Sequence, residues 1–149
     1  MKIAITGHTS GIGKALFKQA PPKHEPMGFS RSNGYDINNP KPWFHRQAMR
    51  CDVFVNNAHD RYAQVDLLYK VWEEWKDKDK QIVCISSTSP DVTKNKPWPY
   101  SVEKCALDHA CEQLQNSKGK CRVINIKPGF VDTPRVASFD AEHKMDPDY

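Results

Sequence analysis

A tyrosine and a lysine four residues apart carry the clearest chemical signal in this chain of 149 residues. Tyr100 and Lys104 lie in a predicted helix, so this spacing puts both side chains on one helical face. A phenol of ordinary acidity exchanges its proton poorly at neutral pH, and a nearby ammonium favours the phenolate. The pair is therefore typical of general acid–base chemistry, although a solvated helix pair has the same spacing.

A serine hydroxyl is available for the same chemistry. Ser87 ends an apolar segment 13 residues before Tyr100 (100 − 87 = 13), so the end of a strand and the start of a helix can meet there. Its hydroxyl could hold a substrate oxygen. The five cysteines form no C-x-x-C pair, which indicates reduced thiols, and we expect no metal site.

A glycine-rich turn follows the first apolar run. The segment Thr6-Gly7-His8-Thr9-Ser10-Gly11-Ile12-Gly13 has the spacing G-x-x-x-G-x-G, a variant of the dinucleotide-binding G-x-G-x-x-G. Glycines let the backbone approach a ligand closely, and a diphosphate gains from helix N-terminal amides. An ordinary strand-to-helix turn can also contain such a glycine cluster.

Three further segments fall where a nucleotide-dependent enzyme needs polar groups. Arg31 lies between Ser30 and Ser32 after the second apolar run, where an acid would bind the ribose of NAD and an arginine accommodates the 2′-phosphate of NADP. Asn56-Asn57-Ala58 follows the next buried strand, and by itself it favours a simple polar turn over a binding site. The stretch 128–134, PGFVDTP, follows the last strand, where it could cover a nicotinamide.

The elements that must position these residues alternate between strand and helix. We predict strands at 2–5, 27–30, 35–37, 52–55, 81–86 and 122–126, and helices at 12–19, 43–49, 65–75 and 100–115. This order predicts an α/β, Rossmann-type doubly wound parallel sheet of about six strands in the order 3-2-1-4-5-6. No helix fits between the second and third predicted strands.

Length and charge limit the classes of function. A chain of this size fits one domain, which we place at residues 1–134, followed by a polar tail at 135–149. The net charge of +4 is mild and scattered, so we expect neither a nucleic-acid nor a membrane partner. The absence of a signal peptide in this sequence predicts a cytoplasmic location.

Together these motifs resemble the short-chain dehydrogenase/reductase family. The segments TGHTSGIG, NNA, YSVEK and PGFVDTP, with Ser87 before the tyrosine, occur in the family's order from Met1 to about Pro134. The resemblance implies that Tyr100 is the general acid/base, that Ser87 polarises a carbonyl, and that Lys104 binds the nicotinamide ribose. The chain would then reduce a small carbonyl compound, or oxidise an alcohol, with NADP(H) preferred over NAD(H).

The resemblance also implies which residues bind the cofactor. It assigns Gly7, Thr9, Ser10, Gly11, Ile12 and Gly13 to the diphosphate. Arg31 and Ser32 would meet the 2′-phosphate, and Asp36 and Ile37 would lie along the adenine. Asn57 and Ala58 would contact the adenosine ribose, and Pro128, Gly129, Val131 and Thr133 the nicotinamide, beside Tyr100 and Lys104.

Several features depart from the family pattern. His59 stands where members usually have glycine, and Asp66 is the nearest candidate for the asparagine of their proton relay. The sequence lacks the usual seventh strand and substrate-binding flap, as in a shortened member. A non-catalytic NADP-binding module or sensor is therefore the alternative function.

The helices 65–75 and 100–115 predict self-association. Family members commonly pair these two helices across a two-fold axis, giving a homodimer or homotetramer. Here the two helices carry more apolar residues than a single inward-facing side of that length needs, so some are expected to be exposed in a monomer. These residues are Tyr69, Trp72, Trp75, Cys105, Leu107, Ala110, Cys111 and Leu114. The alternative is that the aromatic residues pack against their own sheet.

Overall fold

A five-stranded parallel sheet forms the centre of the computed structural model, which describes residues 1–138 and 144–148, without the side chains of residues 42–44. The strands are β1 (Lys2–Thr6), β2 (Glu25–Phe29), β3 (Val53–Asn56), β4 (Gln81–Ile85) and β5 (Arg122–Ile126). The helices are α1 (Gly11–Gln19), α2 (Pro42–Ala48), α3 (Ala63–Trp75) and α4 (Pro99–Gln115). Within the described residues, the sheet order is β2-β1-β3-β4-β5, which confirms the predicted fold class.

The predicted strand at 35–37 is wrong. The backbone N–H of Tyr35 bonds back to the carbonyl of Ser30 at 2.8 Å, which closes a turn after β2. Asp36 then accepts a 2.9 Å bond from the backbone N–H of Asn38 through its side chain. The backbone carbonyl of Asp36 also accepts a 3.2 Å bond from the N–H of Asn39. These local bonds turn the chain away from the sheet, so β2 is its edge strand.

Helices cover the two faces of the sheet unequally. The larger core contains residues of α3 and α4 packed on Ala4, Phe54 and Ile82. The smaller core, on the other face, joins Ile5, Val55 and Ile85 to α1 residues such as Phe17. All four β-ladders are parallel, so the carboxyl ends of the strands meet at one edge and bring the loops after them together.

Most apolar side chains of α3 and α4 face their own sheet, and Val102 is an exposed exception. Trp75 is 0% exposed and Trp72 is 5% exposed, and Leu107, Ala110, Cys111 and Leu114 are buried as well. The predicted apolar patch for self-association is therefore wrong, because these residues form the larger core instead. Of the residues from which it was inferred, Tyr69 and Cys105 are exposed.

Part of the polar tail returns to the domain. Met145 forms an isolated parallel bridge with Val131, and its backbone N–H bonds to the carbonyl of Phe130 at 2.8 Å. Gln19 at the end of α1 donates to the carbonyl of Asp148 at 2.7 Å. The tail is thus bonded to the loop that follows β5 and to the end of α1.

Candidate active site

The glycine turn joins β1 to α1 in a conformation that needs its glycines. Gly7 and Gly11 have φ values of +70° and +49°, which favour glycine. A Cβ on Gly13 would lie 2.3 Å from the carbonyl oxygen of Gly7, so Gly13 lets α1 pack closely against the turn. Ser10 provides no side-chain cap for α1, which leaves the first-turn amides available for an anion.

Thr6 fastens this turn to the end of β3. Its hydroxyl oxygen accepts bonds of 2.9 Å from the backbone N–H groups of Asn57 and Ala58. The Asn57 side chain donates in turn to the carbonyl of Thr6 at 2.9 Å. The Asn57-Ala58 motif therefore holds two neighbouring loops together at the carboxyl edge of the sheet.

Arg31 lies in a single 3₁₀ turn, Arg31–Asn33, that follows β2. A capping box fixes this turn, because the Asn33 side chain accepts a bond of 2.8 Å from the backbone N–H of Ser30. A cavity of about 340 Å³ lies beside the turn, lined by Arg31, Gly34, Asp36, Asn39 and Lys41. Two cations and one carboxylate thus surround it.

Lys104 is the most buried cation of the site, at 3% exposure. Its Nζ donates to Oε1 of Gln64 and to the carbonyl of Ile85, both at 2.8 Å. Gln64 is itself held, because its Nε2 donates to the carbonyl of Asn56 at 2.6 Å and to that of Ile85 at 3.1 Å. Burial lowers the pKa of Lys104 to about 8, and the charge of Arg135 adds to the shift.

His59 occupies the space beside Tyr100. The two rings meet edge to face, with centroids 4.9 Å apart, and His59 Nε2 lies 3.0 Å from a carboxylate oxygen of Glu103. Burial lowers the pKa of His59 to about 4, and the charges of Lys104 and Arg135 act in the same direction. We therefore assign a neutral imidazole that donates its Nε2–H to Glu103.

Ser87 and the loop after β4 complete this end of the site. The Ser87 hydroxyl oxygen accepts a 3.0 Å bond from the backbone N–H of Ser89. The next turn is tied to α4, because the Ser101 hydroxyl donates to the carbonyl of Ser89 at 3.0 Å. Lys127 is paired with Asp91 and Asp108, which engages its charge.

One cleft of about 490 Å³ brings nearly all of the predicted site residues together. The predicted residues that line it are Gly7, Thr9, Ser10, Gly11, Ile12, Arg31, Ser32, Asp36, Ile37, Asn57, Ala58, Ser87, Tyr100, Lys104, Pro128, Gly129, Val131 and Thr133. Gly13 does not line it and lies beneath the turn. Arg31 follows β2 and Ser87 follows β4, three strand spacings away, so these two ends of the cleft are roughly 14 Å apart.

Sequence reasoning missed two residues of this site. Gln64 bonds Lys104 directly, whereas Asp66 is exposed and makes no such contact among the described residues. A signal was present, because Gln64 precedes Leu68, Val71 and Trp75 at helical spacing and so interrupts an apolar face. Arg135 also lines the cleft, with its guanidinium carbon 5.9 Å from the Tyr100 ring centroid.

Within the part of the chain that the structure describes, no group of three or more His, Cys, Asp and Glu residues is arranged to hold a metal ion. All five cysteines are free thiols, and Cys105 alone is exposed. Among the described helices, none combines the length and the apolar character needed to cross a bilayer.

Comparisons with solved structures identify the fold. A short chain dehydrogenase from Burkholderia cenocepacia J2315 in complex with NADP is 18% identical, with a TM-score of 0.84 over 99% of this chain and 79% of that one. The 3-ketoacyl-(acyl-carrier-protein) reductase from Brucella melitensis, complexed with NADH, is 16% identical, with a TM-score of 0.83 over 99% and 86%.

A third structure, a short chain dehydrogenase/reductase from Burkholderia phymatum in complex with NAD, is 17% identical, with a TM-score of 0.73 over 96% and 73%. No known family profile matches the sequence, and no curated protein matches it either. The chain therefore has the fold of the short-chain dehydrogenases/reductases, at identities that establish the fold alone.

Proposed function

We propose that this protein is a short-chain dehydrogenase/reductase that moves a hydride between NADP(H) and a small carbonyl or alcohol substrate. One observation carries the proposal: Ser87, Tyr100 and Lys104 line the same cleft as the glycine turn. The structural neighbours, in complexes with NADP, NADH and NAD, support a nicotinamide dinucleotide as the ligand of this cleft.

The residues present fit such a dinucleotide. The uncapped first turn of α1 offers amides to a diphosphate, and Gly7 and Gly11 adopt the positive φ values that shape the turn before it. Asn57 and Ala58 would meet the adenosine ribose, and Pro128, Gly129, Val131 and Thr133 the nicotinamide. When bound, the nicotinamide supplies or accepts the hydride, which no side chain of the protein can do.

Three side chains would provide the proton chemistry. Tyr100 gives its phenolic proton to the carbonyl oxygen during reduction and accepts it during oxidation. The Ser87 oxygen accepts a bond from the Ser89 amide, which leaves its own O–H to donate to the substrate oxygen. Lys104 has three N–H donors and uses two inside the protein, so one remains for the ribose of the cofactor.

We propose that the cofactor is NADP(H) in preference to NAD(H). Arg31 and Lys41 line the cavity beside the 3₁₀ turn, where a 2′-phosphate would be held between two cations. Asp36 lies in the same cavity, but its Oδ1 is engaged by the backbone and side-chain nitrogens of Asn38. Ser32 lines the neighbouring cleft and adds a hydroxyl.

The proposal is tested in two steps that separate binding from catalysis. Quenching of tryptophan fluorescence by NADP⁺ and NAD⁺ measures cofactor binding, and NADPH oxidation with a panel of small ketones and aldehydes measures turnover. Binding together with turnover supports the enzyme. Binding without turnover on any substrate favours the non-catalytic sensor, and absence of binding contradicts both functions.

Self-association through α3 and α4 stays a prediction that rests on the family resemblance. The exposed residues of these helices include Tyr69, whose hydroxyl donates to Gln113 at 2.7 Å. Any pairing there would be largely polar, because the apolar residues belong to the larger core. Light scattering over a concentration series tests it, and a monomer at tens of micromolar would contradict it.

A further inference from the structure

We propose that Arg135 binds a carboxylate of the substrate, so that the carbonyl compound reduced at Tyr100 is a short oxo acid. The inference rests on the proposed function and adds the class of substrate. Reduction adds a hydride to the carbonyl carbon and the Tyr100 proton to its oxygen, which gives the corresponding hydroxy acid.

Arg135 lies at the end of the cleft where the reaction would occur. Its guanidinium carbon is 5.9 Å from the centroid of the Tyr100 ring. It also lines the same cleft as Ser87. A ligand whose carbonyl oxygen meets Tyr100 would therefore bring a carboxylate to Arg135 if the two groups are a few bonds apart.

The charge of Arg135 reaches the site independently of that ring contact. It helps to lower the pKa of both Lys104 and His59, after burial in each case. The only carboxylate that the described residues place against His59 within ion-pair distance is Glu103. Asp60 also lines the cleft, but it accepts a 2.8 Å bond from the Asn38 side chain, as Glu103 is engaged by His59. An anionic ligand would therefore be attracted by the guanidinium of Arg135 itself.

No ion pair among the described residues engages Arg135. Lys104 also lines the cleft, but two of its three N–H donors are used inside the protein. Lys127 is paired with Asp91 and Asp108, and Lys94 stacks on the Trp98 ring with its Nζ 4.2 Å from the centroid. Arg135 contacts the Tyr100 ring, but none of its N–H groups makes a hydrogen bond among the described residues. Its fork of N–H donors therefore remains for a ligand, and such a fork matches a carboxylate in geometry.

The cofactor diphosphate is the other anion that this arginine could meet, and the loop geometry disfavours it. Thr133 packs against Gly11 of the glycine turn, where a Cβ added to Gly11 would lie 3.0 Å from the threonine methyl. Thr133 is therefore the part of this loop that lies against the glycine turn. Arg135 follows in the 3₁₀ turn Pro134–Val136, where it reaches the ring of Tyr100.

Backbone hydrogen bonds hold the 3₁₀ turn that carries Arg135 in place. The backbone N–H of Val136 bonds to the carbonyl of Thr133 at 3.0 Å, and that of Asp132 bonds to the carbonyl of Met145 at 2.7 Å. The arginine is exposed, so its side chain can adjust to a ligand while its backbone stays fixed. This combination suits a residue that selects among substrates.

The test compares acids with their neutral esters. We would measure kcat/KM with NADPH for pyruvate against methyl pyruvate and for acetoacetate against methyl acetoacetate. The expected result is a preference for at least one acid, and a fall of roughly tenfold or more in its acid-to-ester ratio in Arg135→Gln. Arg135→Lys should give an intermediate ratio, because it keeps the charge and loses the fork.

Lys94→Gln is the matched control, since it removes one positive charge from the loop before α4. It should leave the acid-to-ester ratio unchanged. An Arg135→Gln ratio equal to that of the original protein would overturn the inference, as would a preference for the ester in every pair.

A binding measurement separates this inference from the proposed function. Oxamate, an unreactive analogue of a short oxo acid, is titrated into the protein saturated with NADP⁺ and followed by tryptophan fluorescence. Arg135→Gln should weaken oxamate binding roughly tenfold or more. If Arg135→Gln weakens oxamate binding but the original protein turns over neither acid nor ester, the result would support the carboxylate site and contradict the proposed reaction. If Arg135→Gln binds oxamate as tightly as the original protein does, or if it weakens NADP⁺ binding and leaves oxamate binding unchanged, the carboxylate site is overturned.

Discussion

Gln64 Oε1 accepts a 2.8 Å hydrogen bond from Lys104 Nζ, and both side chains are almost completely buried. Gln64 is neutral, so the ammonium has hydrogen bonds and no counter-charge at this contact. This explains how burial can lower the pKa of Lys104 to about 8 in a side chain that is still well positioned. Gln64 is therefore a positioning residue, which acts on the proposed chemistry through Lys104.

We predict that substitutions of Gln64 move the alkaline limb of the pH profile. Above about pH 8, Lys104 loses its charge and kcat/KM should fall. Gln64→Glu places a carboxylate beside the ammonium, which raises the pKa of Lys104 and shifts the limb to higher pH. Gln64→Leu removes an acceptor and should shift it to lower pH, with a loss of about 1–3 kcal/mol in stability from unpaired buried groups.

Asp66→Asn is the control for this series, because Asp66 is exposed on the same helix. It should leave the profile unchanged. Gln64 variants that lose stability but keep the original pH profile would reduce Gln64 to a structural role.

A second prediction concerns the acid/base itself. Tyr100→Phe removes only the transferable proton, so turnover should be abolished while the dissociation constant for NADP⁺ changes little. Lys104→Ala should impair both, since it also removes a ribose contact. Tyr69→Phe is the matched control at an exposed phenol bonded to Gln113, and it should behave like the original protein. Substantial turnover by Tyr100→Phe would mean that another group supplies the proton.

The cofactor preference gives a third prediction. Arg31→Ala should lower the affinity for NADP⁺ relative to NAD⁺ by tenfold or more, on the order of 1.5–3 kcal/mol, because it removes a charge-assisted contact to the 2′-phosphate. Lys41→Gln should act in the same direction and more weakly. Arg50→Ala is the control, since Arg50 precedes β3 and so lies near the amino ends of the strands, away from the cleft at their carboxyl ends. A ratio of dissociation constants that Arg31→Ala leaves unchanged would contradict the preference.

His59 predicts a specific loss of stability in acid. Its pKa is lowered to about 4 in the folded protein, so between pH 4 and 6.5 the unfolded chain binds a proton that the folded chain does not. The free energy of unfolding should therefore fall as the pH drops from 6.5 towards 4. In His59→Asn this part of the pH dependence should disappear, as measured by urea unfolding at pH 7 and pH 5. His109→Asn is the exposed control, and an equal pH dependence in His59→Asn would contradict the assignment.

Gly13 gives a prediction about the fold beneath the site. A Cβ there would lie 2.3 Å from the Gly7 oxygen and 2.5 Å from Asn57 Nδ2, so the turn would have to move. Gly13→Ala should therefore cost about 1–3 kcal/mol or more in the free energy of unfolding. The control is Gly129→Ala, because the nearest atoms to a Cβ at Gly129 are 4.0 Å away. Similar melting temperatures for the two variants would contradict this packing argument.

The sequence by itself determined the order of elements and the main contents of the cleft. Apolar runs of strand length, each ended by glycine, serine or asparagine, mark the carboxyl ends of β1, β3 and β4. In a parallel sheet these ends meet at one edge, so motifs far apart in sequence could be assigned to one site. Spacing alone also put Tyr100 and Lys104 on one face of α4.

Only the tertiary structure decided which polar groups pair and which apolar faces are covered. Residues 35–37 could form hydrogen bonds either within a local turn or with a strand that is distant in sequence. The local sequence pattern is compatible with both, and the structure shows the turn. The helical spacing of Trp72 and Trp75 fits both a contact with a second copy of the chain and packing on the chain's own sheet. Only the position of the sheet shows that they belong to the core. Gln64 and Arg135 reach Lys104 and Tyr100 across 40 and 35 residues of sequence (104 − 64 = 40; 135 − 100 = 35), and such contacts arise from packing, which no short motif encodes.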